Sequence, residues 1–157
     1  MAGLTWNSAA GNLRIDGQYV NTPAYKVLNL HTLWQPATQR GQDRLVPGAS
    51  GVRRFQRRDT VTTFDLEMLI VGAVYSTGSA SLNLFEGLQA NVAEISTRFV
   101  APTGVGDGTR TAILTMPDFT TRTKVIHVTG LELGQVAENG AWLKAIMSIS
   151  SPTGRFL

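Results

Sequence analysis

Apolar and polar residues alternate along several stretches of the chain, which is the pattern of half-buried β-strands. The clearest stretch spans residues 60–71, and residues 52–56 are predicted to pair with it. A second alternating run, residues 142–150, follows the turn signal Asn139-Gly140, and Asp16-Gly17 is a turn signal that predicts an early hairpin between LRI and QYV. The core face of the first stretch is predicted to consist of Phe64, Leu66, Met68 and Ile70.

One segment has helical periodicity instead. Apolar residues recur every three or four positions between residues 79 and 96, with Ser79 or Ser81 as the predicted N-cap. Gly87 is expected to weaken this helix by roughly 1 kcal/mol relative to alanine, and residues 98–101 are predicted to form a short strand. The helix residues predicted to enter the core are Phe85, Leu88, Val92 and Ile95.

A long segment without clear periodicity, residues 35–51, is predicted to be a protruding loop. Loops of this length are uncommon inside a compact domain and are usually functional or form a protruding arm. About eight strands surround the one helix. The chain of 157 residues is therefore predicted to be a single domain, residues 1–157, of the mainly β (α+β) class. The expected architecture is a two-sheet β-sandwich or barrel with one flanking helix.

The composition indicates that the chain is a subunit of a larger assembly. Hydrophobic residues make up 43% and charged residues only 16% of the chain, against about 25% charged in an average soluble domain. Interface cores are depleted of charge, so we expect surface to be buried against neighbours. The absence of cysteine excludes disulfides and thiolate metal sites. No signal-peptide pattern or apolar stretch of about 20 residues occurs, so we expect synthesis in the cytosol and no membrane insertion.

Arginine accounts for 11 of the 14 basic residues, and four arginines lie in GVRRFQRRDT at residues 51–60. On a strand, alternate arginines point to opposite sides, so they do not form one basic face. Subunit contact or pairing with carboxylates is favoured, while solvated edge-strand charge and nucleic-acid binding stay open. The subunit-interface candidates are Trp34, Arg40, Arg44, Arg53, Arg54, Arg57 and Arg58.

Residues suited to catalysis are few. His31 and His127 have no second histidine or carboxylate at metal-ligand spacing, and both are interpreted as structural or surface residues. Asp65 and Glu67 share a strand face, where solvated charges or arginine partners are favoured over a glycosidase-like pair. No catalytic residue, metal site or cofactor is predicted, and the chain is not expected to be an enzyme. A ligand-binding sandwich would use Trp6, Trp34 and Trp142 for stacking.

Four features carry a resemblance to a known family: the segment NLHTLW, the loop RGQDRLVPGASG, the step RRFQRRDT and the strand LEMLIVG. Together they resemble minor tail proteins of long-tailed, siphovirus-type bacteriophages, particularly those of actinobacterial hosts. The chain is similar to the N-terminal, tube-like domain of the distal tail protein. That resemblance implies the tail-tube fold, with two packed β-sheets, a flanking helix and a long loop or hairpin that reaches a neighbour.

The resemblance also implies a function. The chain would be a structural virion protein, six copies of which form a ring at the distal end of the tail and continue the tube lumen. Implied partners are further copies of the chain, the tail tube protein on one side and a tail-tip or hub protein on the other. DNA would pass through the lumen without specific binding. A major tail tube or tail-completion (terminator) protein of the same fold is an alternative, and a nucleic-acid-binding β-barrel is a further one.

Overall fold

The computed structural model describes most of the chain: residues 12–34, 43–45, 52–54, 62–100, 108–116, 118–152 and 156. Nine strands lie in these segments: β1 (Leu13–Ile15), β2 (Gln18–Tyr19), β3 (Tyr25–Val27), β4 (Asp43–Leu45), β5 (Val52–Arg54), β6 (Thr62–Val71), β7 (Arg110–Thr115), β8 (Thr121–Val136) and β9 (Trp142–Ser151). A 3-10 helix covers Leu30–Trp34, and the α-helix α1 covers Leu84–Ile95.

Seven of these strands form one antiparallel sheet in the order β2-β1-β7-β8-β9-β6-β3. The 16-residue strand β8 has different neighbours along its length. Its first part pairs with β7 as far as Arg110↔Ile126, and its later part pairs with β9 from His127↔Ser150 onward. The sheet therefore curls around one core. The prediction of a mainly β fold with one flanking helix is confirmed.

Two turns follow directly from the sequence. Asp16 and Gly17 have positive φ values of 50° and 80° between β1 and β2, as a two-residue type I′ turn requires. Gly140 has a φ of 72° in the turn between β8 and β9, where Asn139 Oδ1 accepts a hydrogen bond from the Ala141 amide at 3.0 Å. Both predicted hairpins are confirmed.

The core lies inside the curled sheet and beneath α1. The four predicted residues of β6 are buried there, opposite the buried face of β9 in pairs such as Leu66↔Met147. Tyr25 packs edge-on against Phe99, with ring centroids 6.5 Å apart. Near the C-terminus Phe156 is also buried, and its amide donates to the Leu33 carbonyl at 3.0 Å. The alternation in β6 therefore identified one wall of the core.

The boundaries of the helical segment differ from the prediction. The N-cap is Asn83, not Ser79 or Ser81, because its side chain accepts from the Phe85 amide at 2.9 Å. Ser81 instead donates to the Gly72 carbonyl and ties the preceding loop to the sheet. The predicted strand at residues 98–101 is wrong over its described part, because Ser96–Val100 continues α1 as a π-helical turn.

The buried face of α1 is narrower than predicted. Leu88 and Ile95 are buried and Val92 is partly buried, but Phe85 is 56% exposed and its placement in the core is wrong. The helix meets the sheet through Gly87, which sits against the backbone of Gly72. This close approach leaves no room for even a Cβ atom at position 87, and the Phe85 ring lies over Gly140.

The arginine-bearing strand has a different partner from the predicted one. β5 pairs with β4, which lies inside the segment predicted to be a loop, and not with β6. β9 pairs along one whole edge of β6, and β3 pairs with residues 68–70 on the other edge. The rest of the predicted loop, residues 35–42 and 46–51, is outside the described residues.

Candidate assembly surface

The hairpin of β4 and β5 carries three of the arginines predicted at a subunit interface. Its register pairs Asp43 with Arg54, Arg44 with Arg53, and Leu45 with Val52. The backbone therefore places two of the interface candidates, Arg44 and Arg53, at one register position.

Of the remaining interface candidates, the structure describes only the backbone of Trp34. Arg40, Arg57 and Arg58 lie outside the described residues. The backbone of Trp34 ends the 3-10 helix. Their interface role therefore stays a prediction.

The face of β6 that points away from the core, called the outer face below, continues across β9 and β8. Asp65 and Glu67 both lie on it, as the alternation predicted, and both are exposed. Glu67 is opposite Ile146 of β9, which in turn is opposite Glu132 of β8. Two carboxylates from distant parts of the sequence therefore flank one isoleucine in a single row across three strands.

A concave site of about 260 Å³, called the outer groove below, surrounds this row. Its floor is apolar and open, since Leu28 is 52% and Ile146 39% exposed. A β-bulge between Leu133 and Val136 places Gly134 against the Lys144 carbonyl, where no side chain fills the space. The lining includes Leu28, Glu67, Glu132, Gly134, Lys144 and Ile146.

Hydrogen bonds hold one wall of the outer groove in place. Asn29 Nδ2 donates to the Asp65 carbonyl at 2.9 Å, and Asn29 Oδ1 accepts from the Glu67 backbone amide at 2.8 Å. The Leu28 amide donates to the Glu67 carbonyl at 2.7 Å. On the far side of Asp65, Ser148 Oγ donates to Asp65 Oδ1 at 2.8 Å. These bonds fix Leu28 and Glu67 relative to each other.

Charges on the outer groove are not paired within the described segments. Glu67 and Glu132 form no ion pair there. The ammonium of Lys144, which also lines the groove, lies 5.9 Å from the ring centroid of Trp142, within cation–π distance. The outer groove therefore combines an apolar floor with two carboxylates and one ammonium group.

A second polar cluster lies where α1 meets the core. Arg98 Nη2 is 2.5 Å from Glu94 Oε1, which also accepts from Ser76 Oγ at 2.7 Å. Arg98 Nη1 lies 3.5 Å from the Tyr25 hydroxyl. Burial, and then the negative charge of Glu94, raise the pKa of Tyr25, while Arg98 acts in the opposite direction. The groups satisfy one another, so the cluster anchors the helix.

Arg110 joins this cluster to the first hairpin. It is only 7% exposed, and its Nη1 lies 3.0 Å from both Asp16 Oδ2 and the Arg98 carbonyl oxygen. A buried guanidinium needs such partners because an unpaired buried charge is strongly unfavourable. The sequence did not reveal the role of Arg110. The alternation of β7 is the same whether the arginine at its first position is buried and paired or solvated.

The described histidine and tryptophan side chains, those of His31, His127 and Trp142, lie on three different elements. His31 is exposed on the 3-10 helix, and His127 is half-buried on β8. Trp142 is half-buried at the start of β9, while Trp6 is outside the described residues. Among the described residues, no group of three or more histidine, aspartate or glutamate side chains could hold a metal ion. None of the described helices has the length and apolarity needed to cross a membrane.

Comparison with solved structures identifies the fold. The crystal structure of the SPP1 Dit (gp 19.1) protein matches 89% of this chain, with a TM-score of 0.58 and 12% sequence identity. Dit is described there as a paradigm of the hub adsorption apparatus of phages that infect Gram-positive bacteria. The match covers 49% of Dit, so this chain corresponds to about half of that protein's length. No protein-family model and no curated sequence matches the chain.

Proposed function

We propose that this protein is a structural subunit of a bacteriophage tail, six copies of which form a ring at the distal end of the tail. The observation that carries the proposal is the fold shared with Dit along nearly the whole chain. The sequence resemblance to minor tail proteins, which rests on other features, points to the same role. The ring would continue the tube lumen and join the tail tube to the tail tip.

The surface chemistry supports a subunit that assembles. Exposed apolar side chains lie on several separate elements, including Leu28, Phe85, Leu133, Val136 and Ile146. The chain also has few charges, and most of its arginines precede β6. A protein that buries surface against neighbours on several sides has these properties.

The proposed partners follow from the position in the tail. Neighbouring copies lie within the ring, the tail tube protein lies on one side and a tail-tip or hub protein on the other. DNA passes through the lumen without being held. This requires a lumen that neutralises few phosphates, because a protein that neutralises many phosphates binds DNA tightly. The proposed location is the virion, and the proposed role involves no catalysis, cofactor or membrane insertion.

Size-exclusion chromatography with light scattering, followed by negative-stain imaging, tests the ring. The expected result is a species of six copies with a central hole, formed by the chain alone or with a neighbouring tail protein. Antibody labelling of virions should place the protein at the distal end of the tail. A chain that stays monomeric in every mixture, and binds duplex DNA with a steep salt dependence, would instead support the nucleic-acid alternative.

A further inference from the structure

We propose that the outer groove binds a basic amphipathic α-helix of a different protein, laid across strands β6, β9 and β8. The contact face of this helix, called the partner helix below, alternates apolar and basic residues. The inference goes beyond the proposed ring, because one copy of the chain carries the whole groove. It can therefore be tested whether or not the chain assembles.

The row of side chains across the outer groove alternates in chemistry. Leu28 follows β3 and continues its pairing with β6, since the Leu28 amide donates to the Glu67 carbonyl at 2.7 Å. Glu67 is opposite Ile146, and Ile146 is opposite Glu132. All four residues are exposed. An apolar residue and an acidic residue therefore follow one another twice across four neighbouring segments of the sheet.

The spacing of this row matches one face of an α-helix. Neighbouring strands lie about 4.8 Å apart, so residues of the same kind repeat in the row at about 10 Å. Helix residues at i, i+4, i+7 and i+11 share a face, and residues seven apart are separated by about 10.5 Å along the axis. A helix with apolar residues at i and i+7 and basic residues at i+4 and i+11 would meet the four residues of the row in turn.

A helix also suits the floor because it satisfies its own backbone hydrogen bonds. At this point β6 pairs with β9, and β9 pairs with β8. The floor therefore presents side chains and not the free N–H and C=O groups of a sheet edge. An extended segment lying on it would leave backbone groups without partners over apolar side chains, which is unfavourable.

The charge of the outer groove favours a basic partner. Glu67 and Glu132 form no ion pair within the described part of the chain. Lys144 is the one cation among the described lining residues, and it lies two residues from Ile146 on β9, in the neighbouring row. Two carboxylates thus face the contact stripe of the partner helix. Lysine or arginine stems would cover Leu28 and Ile146 while their charged ends reach these carboxylates.

The α-helix of a second copy does not fit this description. Helix α1 carries Glu86 and Glu94 and has no lysine or arginine between Leu84 and Ile95. It would bring like charges to Glu67 and Glu132, and such contacts are strongly unfavourable at an interface. The occupant is therefore a helix of another protein.

Binding of designed peptides to the full-length chain tests the proposal. The matching peptide has about 20 residues, leucine at i and i+7, and lysine at i+4 and i+11 in an alanine- and glutamine-rich helix. The shifted peptide has the same composition, but each lysine stands one position later, about 100° further around the helix. Fluorescence anisotropy at low salt, where charges are least screened, should show at least about tenfold tighter binding of the matching peptide.

Charge-swapped variants of the chain locate the site. Glu67→Lys/Glu132→Lys should weaken binding of the matching peptide at least about tenfold, and should instead bind a peptide with glutamate at i+4 and i+11. Glu86→Lys/Glu138→Lys makes the same change in net charge at exposed glutamates outside the groove, and should bind like the unmodified chain. Ile146→Ser should also weaken binding, because it removes apolar floor without changing the charge.

The outcomes separate this inference from the ring. Equal affinity for the matching and shifted peptides would overturn the partner helix, as would the absence of binding to both. Unchanged affinity of Glu67→Lys/Glu132→Lys would show that the groove is not the site. If this variant instead alters the oligomeric state measured by light scattering, a second copy covers the groove and the proposal is wrong. The ring role depends on imaging of the unmodified protein and on none of these results.

Discussion

Gly87 of α1 and Gly72, the residue that follows β6, touch through their backbones, so that a Cβ atom on Gly87 would overlap the Gly72 carbonyl oxygen. The sequence alone marked Gly87 as a weak point of the helix. The structure shows that the missing side chain is what allows α1 to approach the sheet. The obstructing atom belongs to the backbone and cannot rotate away.

We therefore expect Gly87→Ala to destabilise the protein, although alanine favours helix formation by roughly 1 kcal/mol. Overpacking at a tight contact typically costs about 1–3 kcal/mol, which exceeds that gain. Urea unfolding measures the difference. Gly130→Ala is the control, because no heavy atom lies within 4 Å of a Cβ at that position. A Gly87→Ala variant more stable than the parent would show that the backbones are not in contact.

Asn91 links the same helix to the strand through its side chain. It is 1% exposed, and its amide nitrogen donates to the carbonyl oxygens of Val71 at 2.8 Å and Val74 at 2.9 Å. Asn91→Ala should cost about 2–4 kcal/mol in the free energy of unfolding, because two carbonyl groups lose their partner. Gln89→Ala, on the exposed side of α1, should change it little. Equal effects from the two substitutions would contradict this role.

On α1, removing the smaller but buried side chain should lower the free energy of unfolding more than removing the larger but exposed one. Leu88 is buried, so Leu88→Ala should cost about 2–5 kcal/mol. Phe85 is larger but more than half exposed, and Phe85→Ala should cost clearly less. Thermal or urea unfolding of the two variants gives the comparison. A larger loss for Phe85→Ala would restore the core position that helical periodicity predicts for it.

Stability should fall at high pH because of Tyr25. Its pKa is raised above the ordinary value of 10.0, mainly by burial. The neutral phenol is the form that the fold favours, so its contribution is complete below the unfolded pKa and is lost as pH rises through the raised pKa. Urea unfolding at about pH 8 and about pH 11 should show a decline that is smaller in Tyr25→Phe. Tyr19→Phe, at an exposed tyrosine, should keep the full decline.

The local features of the fold were predictable because each depends on neighbours in the sequence. Alternation along β6 determined which of its faces enters the core, since side chains on a strand point alternately to the two sides. Asp16-Gly17 and Asn139-Gly140 marked their turns, because these residue types adopt positive φ at little cost. The helix was found from its period, and the acidic pair Asp65 and Glu67 was placed on one strand face.

What only the tertiary structure decided depends on strands that are distant in sequence. Alternation leaves the identity of the pairing partner open. Strand β5 was predicted beside β6, whereas it pairs with β4, and β6 pairs with β3 and β9. The depth of α1 depended on the contact between Gly72 and Gly87, which left Phe85 outside. The outer groove depended most on the tertiary structure. Glu67, Ile146 and Glu132 meet only because the register of three strands aligns them, and no local pattern encodes a register between residues so far apart.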